Sequence, residues 1–280
     1  MLPGLGSIHY RKHRPPGGIP KTVTVKKELG KWYIYVQVKV EAQEPRPVDL
    51  NKGAAGDVGI VHFISMNEGT FVDFPHFEKV RKIENKIGEL QRQAAAKKKG
   101  SRRYRRLQFR IAKDWRKITN IRKDFLHKLS RHIESQGYDY FVVEDLNMKN
   151  MTASAKGTIA SPGRNVRAKS GLNRSILRMG WYTFVCMLEY KMRLSGRFVI
   201  KVNPRNTSIT CPKCGNVDKQ NRRSQAEFKC TKCLLTLNAD TLASINQLRA
   251  GRAQMLALCS KGEVTLLSWG EDENLPIPAP

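Results

Sequence analysis

The sequence predicts a mixed α/β fold interrupted by a small cysteine-held ribbon, on three observations. Short β-like runs alternate with long helical stripes instead of clustering at one end. Four of the six cysteines stand as two C-x-x-C knuckles, Cys211/Cys214 and Cys230/Cys233, with fifteen residues between them. A chain of 280 residues, 40% of them hydrophobic, is long enough for one large domain with one or two small modules.

Charge narrows the partner. With 51 Lys and Arg against 24 Asp and Glu, the formal net charge is +27. Charge of that sign points to a polyanion, because phosphates neutralised by Lys and Arg release condensed counterions. No signal-peptide core opens the sequence, and no apolar run approaches the roughly 20 residues that span a bilayer. The expected location is cytoplasmic, nucleoid-associated in a prokaryote, with no membrane partner and no small-molecule substrate. Cysteines at metal-ligand spacing fit that reducing compartment.

Taken in order, residues 1–20 read as a Gly- and Pro-rich loop with a short strand at 8–11. Strands follow at 22–26 and 32–40 around a turn containing Gly30. A two-stranded hairpin is marginal in water, so it must pack on something or belong to a barrel. Residues 42–53 read as a linker. Strands at 56–66 and 70–74 flank an Asn-Glu-Gly turn, with Asp57 near the head of the first. Asp and Gly are poor strand formers, so Asp57 is either a turn residue or a group placed for chemistry.

Two helical stripes come next: Val80, Ile83, Ile87 and Leu90, then Leu107, Ile111, Ile118, Ile121, Phe125, Leu129 and Ile133. Between them lies KKKGSRRYRR, with seven positive charges in ten positions: Lys97, Lys98, Lys99, Arg102, Arg103, Arg105 and Arg106. A helical hairpin joined at Gly100 and Ser101 would present this cluster at its tip. Most charge runs are solvated helix surface; this one has no interleaved acids, so the favoured reading is phosphate contact. Tyr104 is open between stacking on a base and packing.

The run YFVV, residues 140–143, suits a strand buried on both faces. Glu144 and Asp145 follow at its carboxyl end, where open α/β sheets gather functional groups. Neighbouring strand side chains point to opposite faces, so only one of the two can reach a given site, and Asp145 reads as a turn acceptor. Residues 148–170 read as a loop near the strand end, placed as a lid. A helix over 172–194, a strand over 198–202 and a helix beginning at Ala239 complete the pattern.

Paired C-x-x-C knuckles at this spacing bring four thiolates around one point, which suits a closed, structural Zn²⁺ site. Cys186 and Cys259 lack such partners and read as small buried apolar residues. Asp240 lies seven residues beyond Cys233, at the head of the last helix. Carboxylates on separate elements of a mixed α/β order suggest an RNase H-like core in which Asp57, Glu144 and Asp240 hold Mg²⁺, two ions with three acids being the usual arrangement for in-line phosphodiester hydrolysis.

These stretches resemble a known family. GDVGIVHFISMNEG is similar to the first RuvC motif of the TnpB (OrfB) family of insertion sequences, and YFVVEDLNM to the second. VNPRNTSITCPKCG, FKCTKC and NADTLASIN resemble its ribbon and third motif, in the right order over residues 21–249. The resemblance implies a fold with a RuvC core, an inserted zinc ribbon and a preceding wedge barrel. It implies an RNA-guided DNA endonuclease related to type V CRISPR effectors, with guide RNA and DNA as partners. Asp57, Glu144 and Asp240 would be catalytic, and the four cysteines would bind zinc. The implied domains are a partial wedge at 1–47, core at 48–204, ribbon at 205–236, last core helix and third motif at 237–262, and a tail at 263–280. The sequence departs from the pattern at Ala54, Ala55 and Gly56, where the family has a more apolar strand, and at Leu234, where Gly is common. Asp49 is a weak rival to Asp57. Only the last part of the wedge barrel, near residues 8–41, is recognisable. Two other readings stay open: a non-cleaving nucleic-acid-binding protein derived from a shortened relative, and a DNA transposase.

Overall fold

The computed structural model describes residues 9–11, 15 and 17–268. Residue 8 of the expected first strand and the acidic, Pro-rich end at 271–280 lie outside them; residues 9–11 form no strand. Strands β1 (Ile19–Glu28) and β2 (Lys31–Lys39) form an antiparallel hairpin, turned by Leu29 and Gly30 in left-handed conformations. Among the described residues no third strand joins them, so the expected barrel segment is a free-standing hairpin here. It is anchored through Arg116, which pairs with Glu28 at 3.2 Å and stacks its guanidinium 4.5 Å from the centre of the Tyr33 ring.

The remaining elements are β3 (Val48–Asp49), β4 (Gly53–Val58), β5 (Ile64–Met66), β6 (Phe71–Val72), α1 (Phe77–Ala95), α2 (Arg102–Ser135), β7 (Tyr140–Glu144), α3 (Met148–Met151), α4 (Val166–Met179), α5 (Trp181–Leu194), β8 (Phe198–Val202), β9 (Glu227–Lys229), β10 (Thr236–Asn238), α6 (Ala239–Ser260) and β11 (Leu266–Ser268). The central sheet has the order β6-β5-β4-β7-β8. β4, β7 and β8 run parallel, while β5 and β6 return antiparallel as a meander.

The two faces of this sheet follow strand alternation. Ala54, Phe141 and Val143 join Phe125, Leu126, Leu129 and Ile133 of α2 and the apolar stripe of α5 in one core. Ala55, Tyr140 and Val142 face the other way, onto Leu248 and Met255 of α6. The small residues of β4 are there because neighbours come too close for larger ones. A Cβ on Gly56 would lie 2.4 Å from Ile64 Cδ1, and one on Gly53 2.1 Å from Tyr140 Cζ. α6 crosses β7 just as closely, since a Cβ on Gly251 would lie 2.3 Å from Val142 Cγ2. Val142 is fully buried and cannot give way. Gly251→Val is therefore expected to destabilise the protein by about 2–3 kcal/mol through overpacking, read as a lower urea midpoint at unchanged slope.

The basic hairpin forms as expected. Ile87, Leu90 and Ala94 of α1 meet Ile111 and Ile118 of α2, and Asp114 is buried between Lys86 at 3.1 Å and Lys117 at 2.9 Å. Ser101 caps α2 by accepting from the Tyr104 N–H. Its 34 residues extend roughly 51 Å at 1.5 Å per residue. Only the second half of α2 enters the main core, so the tip at 97–106 stands away from it.

Several expectations need correction. The strand expected over 56–66 is two strands, because the chain bends at 59–63, where the Gly59 N–H donates to the Phe63 carbonyl. The helix expected over 172–194 breaks at Gly180, whose φ is +76°, and Arg122 takes the freed carbonyls of Leu177 and Arg178. The linker at 42–53 contains β3, which pairs in parallel with β11, so the first part of the tail is sheet. The loop at 148–170 includes α3 and the start of α4. Cys186 and Cys259 are half-buried.

Candidate metal centres

Period-two alternation carries Asp57 and Glu144 onto one face. Asp57 shares the side of Ala55, and Glu144 that of Val142, which are paired residues of adjacent parallel strands. Extending that register by two residues sets Asp57 opposite Glu144, beneath α6. Asp240 enters from above, in the first turn of α6. Asn238 caps that turn, accepting from the N–H groups of Asp240 at 2.9 Å and Thr241 at 3.2 Å.

Electrostatics tie the three acids together. Burial, then the negative charge of Glu144, pushes the Asp57 carboxyl up to about 7; Asp240 adds to the rise, while a hydrogen bond from Gln247 and the charge of Arg222 oppose it. Glu144 is also raised by burial, against hydrogen bonds from Thr207 and Gln247. Gln247 Nε2 donates to Asp57 Oδ1 at 2.8 Å, and Thr207 Oγ1 to Glu144 Oε1 at 2.8 Å. A buried carboxyl raised by two neighbouring acids in a strongly basic chain suits a bound cation, and oxygen donors suit Mg²⁺. Among the described residues only the four cysteines have ligand atoms all within 4.8 Å of one another. The carboxylates are set wider than that, a spread open to two ions about 3.5–4 Å apart.

The sequence did not reveal Gln247, Thr207 or Arg222. Gln247 lies seven residues beyond Asp240, two helical turns along one face, and that spacing was the available signal. Thr207 had none beyond its place between strand and knuckle. Asp49, the weak rival, closes its own turn by accepting from the Asn51 N–H and pairing with Lys52. Asp145 is exposed and its N–H donates to the Val202 carbonyl.

The ribbon gathers its sulfurs as the spacing predicts. Cys211 and Cys233 Sγ lie 3.5 Å apart, as do those of Cys214 and Cys230. A tetrahedral ion with Zn–S bonds of about 2.3 Å sets sulfurs about 3.8 Å apart, so the set fits one Zn²⁺. Burial disfavours the Cys230 thiolate, yet N–H groups of Cys233 and Lys232 pointing at its sulfur, with the neighbouring thiols, draw it down to about 6. Leu234 adopts φ +59° after the second knuckle, where the first has Gly215 at +71°. The turn is therefore kept at a cost of about 1 kcal/mol in backbone strain, and the Leu side chain is left exposed. Asn246 ties the ribbon's entry to α6, donating to the carbonyls of Thr207 and Thr210.

Lys97, Lys98, Lys99, Arg102, Arg103, Arg105 and Arg106 are all exposed. Among the described residues none of them forms an ion pair. Tyr104 is partly buried and packs against the α1–α2 core.

Two family models match the chain. OrfB_IS605, described as "Probable transposase", covers residues 35–155, and "Cas12f1-like, TNB domain" covers residues 181–247. "Putative RNA-guided DNA endonuclease InsQ" of Escherichia coli (strain K12) is 41% identical over 254 residues, covering 90% of this chain and 62% of that protein. "CRISPR-associated endodeoxyribonuclease Cas12f1" of Sulfoacidibacillus thermotolerans is 29% identical over 232 residues, 77% of this chain and 49% of that one. The chain thus spans between about half and three-fifths of the length of these curated relatives. A structure titled "Cryo-EM structure of the Cas12f1-sgRNA-target DNA complex" has the same mixed α/β fold, with a TM-score of 0.54 at 18% identity over 81% of this chain and 44% of that one. One model spans Asp57 and Glu144, the other spans the four cysteines and Asp240, and with the identity to InsQ they place this chain in the TnpB/OrfB family of insertion-sequence proteins.

Proposed function

We propose that this chain is the nuclease portion of a TnpB-type RNA-guided DNA endonuclease that hydrolyses phosphodiester bonds with Mg²⁺. The observation that carries it is that Asp57 and Glu144 share the α6 face of the sheet, with the charges of Glu144 and Asp240 both acting on Asp57. In this reading residues 48–204 and 237–262 make an RNase H-like core; the antiparallel meander joined to two parallel strands suits it. Residues 205–236 make a zinc ribbon, and 1–47 a wedge segment. Magnesium held by the carboxylates would activate water and offset charge on the leaving oxygen. Thr207 and Gln247 hold two of the carboxylates in place, Arg222 offers a positive charge beside Asp57, and the ribbon fixes the turn that carries Asp240. Guide RNA and target DNA are the partners, as the names of the relatives suggest. Among the described residues no helix is long and apolar enough to cross a membrane; the cytoplasm of a prokaryote is the place of action in this reading.

The test is cleavage. The protein, loaded with RNA from the end of its element, is expected to cut DNA matching the guide only when Mg²⁺ is present. Salt-sensitive binding without cutting would replace the nuclease reading with that of a binding protein, and strand joining at element ends would replace it with a transposase. The helical tip has its own test. Changing Lys97, Lys98 and Lys99 to Ala should flatten the log–log salt dependence of duplex binding by about 0.9 for each phosphate that is no longer neutralised, leaving the melting temperature unchanged. An unaltered salt slope would remove the tip from the interface.

A further inference from the structure

One amide lies on the buried face of α6, between the carboxylates and the core. Gln247 is 0% exposed. Its Nε2 donates to Asp57 Oδ1 at 2.8 Å, and its side chain is also in hydrogen-bonding reach of Glu144. Its Oε1 is buried with no hydrogen-bond partner among the described residues. A buried carbonyl without a donor is costly, and an apolar side chain of the same length would avoid that cost. The acid that the other end of the amide faces offers no donor when ionised. A hydrated divalent ion does offer one, because Mg²⁺ keeps several of its waters when bound by carboxylates.

Taking Asp57, Glu144 and Asp240 as the metal site proposed above, we propose that Gln247 is a positioning residue for the ion: Nε2 holds Asp57 in place, and Oε1 accepts a hydrogen bond from an ion-bound water. The amide then acts at both ends, orienting a ligand and adding a neutral acceptor without adding charge to a site that already has three acids. Groups that orient metal ligands typically affect metal affinity by 10–100-fold.

The experiment is calorimetric titration of the zinc-loaded full chain with Mn²⁺, alongside the Mn²⁺-induced rise in melting temperature. Gln247→Met, which keeps the length and removes both polar groups, is expected to weaken Mn²⁺ binding by about tenfold while leaving the metal-free melting temperature as high as in the wild type. Gln247→Leu removes both polar groups in a side chain of similar size and is expected to weaken Mn²⁺ binding to the same extent. Wild-type affinity in Gln247→Met would overturn the proposal. Should Gln247→Met fail to fold, Gln247→Leu decides, and wild-type affinity there would overturn it equally. Asp57→Asn separates the two levels. If it binds Mn²⁺ like the wild type, the metal site itself is wrong; if it loses binding while Gln247→Met keeps it, only the role of Gln247 is wrong.

Discussion

Asp57→Asn is expected to lower Mg²⁺-dependent DNA cleavage by on the order of 10³-fold, equivalent to about 4 kcal/mol of transition-state stabilisation, without loss of fold. The asparagine has the same shape and can still accept from Gln247 Nε2, but it brings no charge to an ion. The same substitution should change how stability depends on pH. The Asp57 carboxyl titrates near 7 in the folded protein, against an ordinary value of 3.8. A raised folded value means the native state holds the proton more tightly. Its contribution is fully present below about pH 4, is lost as pH rises toward 7, and is flat above that. The metal-free wild type should therefore lose stability relative to Asp57→Asn across that window. Divalent ions compete with the same proton, so metal affinity of the wild type should climb through pH 7 and then level off. Chemical denaturation at a series of pH values, with and without Mg²⁺, measures both effects. Equal cleavage by the two proteins, or parallel stability curves, would remove Asp57 from the site.

Loss of the ribbon's metal should have the second large effect. Behind the cysteines the ribbon buries little of its own: Phe228 packs on Leu237, Ala239, Leu242 and Ile245 of β10 and α6. A module of this size does not bury enough surface to fold unaided, whereas structural Zn²⁺ contributes roughly 10–16 kcal/mol in zinc-finger peptides at neutral pH. Cys230→Ser, at a fully buried ligand, is expected to take bound zinc from one ion per chain to none and to expose the amides of residues 205–238 to hydrogen exchange. β10 runs directly into α6, so the turn bearing Asp240 should loosen and cleavage should fall with the zinc content. Metal analysis and exchange measurements on both proteins test this; slow exchange in a zinc-free ribbon would show that the module does not depend on the ion.

Much of the fold was legible because its signals are local. The α1 and α2 stripes, the apolar β7 and the paired knuckles each declare themselves within a window of a few residues. The break at Gly180 was not legible, because an isolated Gly inside a helical stripe is usually tolerated. What ends the helix there is Arg122, which comes from α2 and satisfies the carbonyls that the break releases. The pairing of β3 with β11 joins nearly opposite ends of the chain and leaves no periodic trace in two-residue and three-residue segments. The departures at Ala54, Ala55 and Gly56 looked like a weakened strand, whereas they are the clearance that Ile64 and α6 need.

The sequence alone determined which side chains are candidate ligands, because thiols at knuckle spacing and acids inside recognisable motifs are facts of composition and order. It also determined that Glu144 and Asp145 point to opposite faces, since a strand alternates. Only the tertiary structure decided that α6 covers the face Glu144 shares with Asp57, and it alone brought Gln247 to Asp57. Direction along a strand is set by neighbouring peptide bonds; proximity between strands and helices is set by packing among residues far apart in the chain.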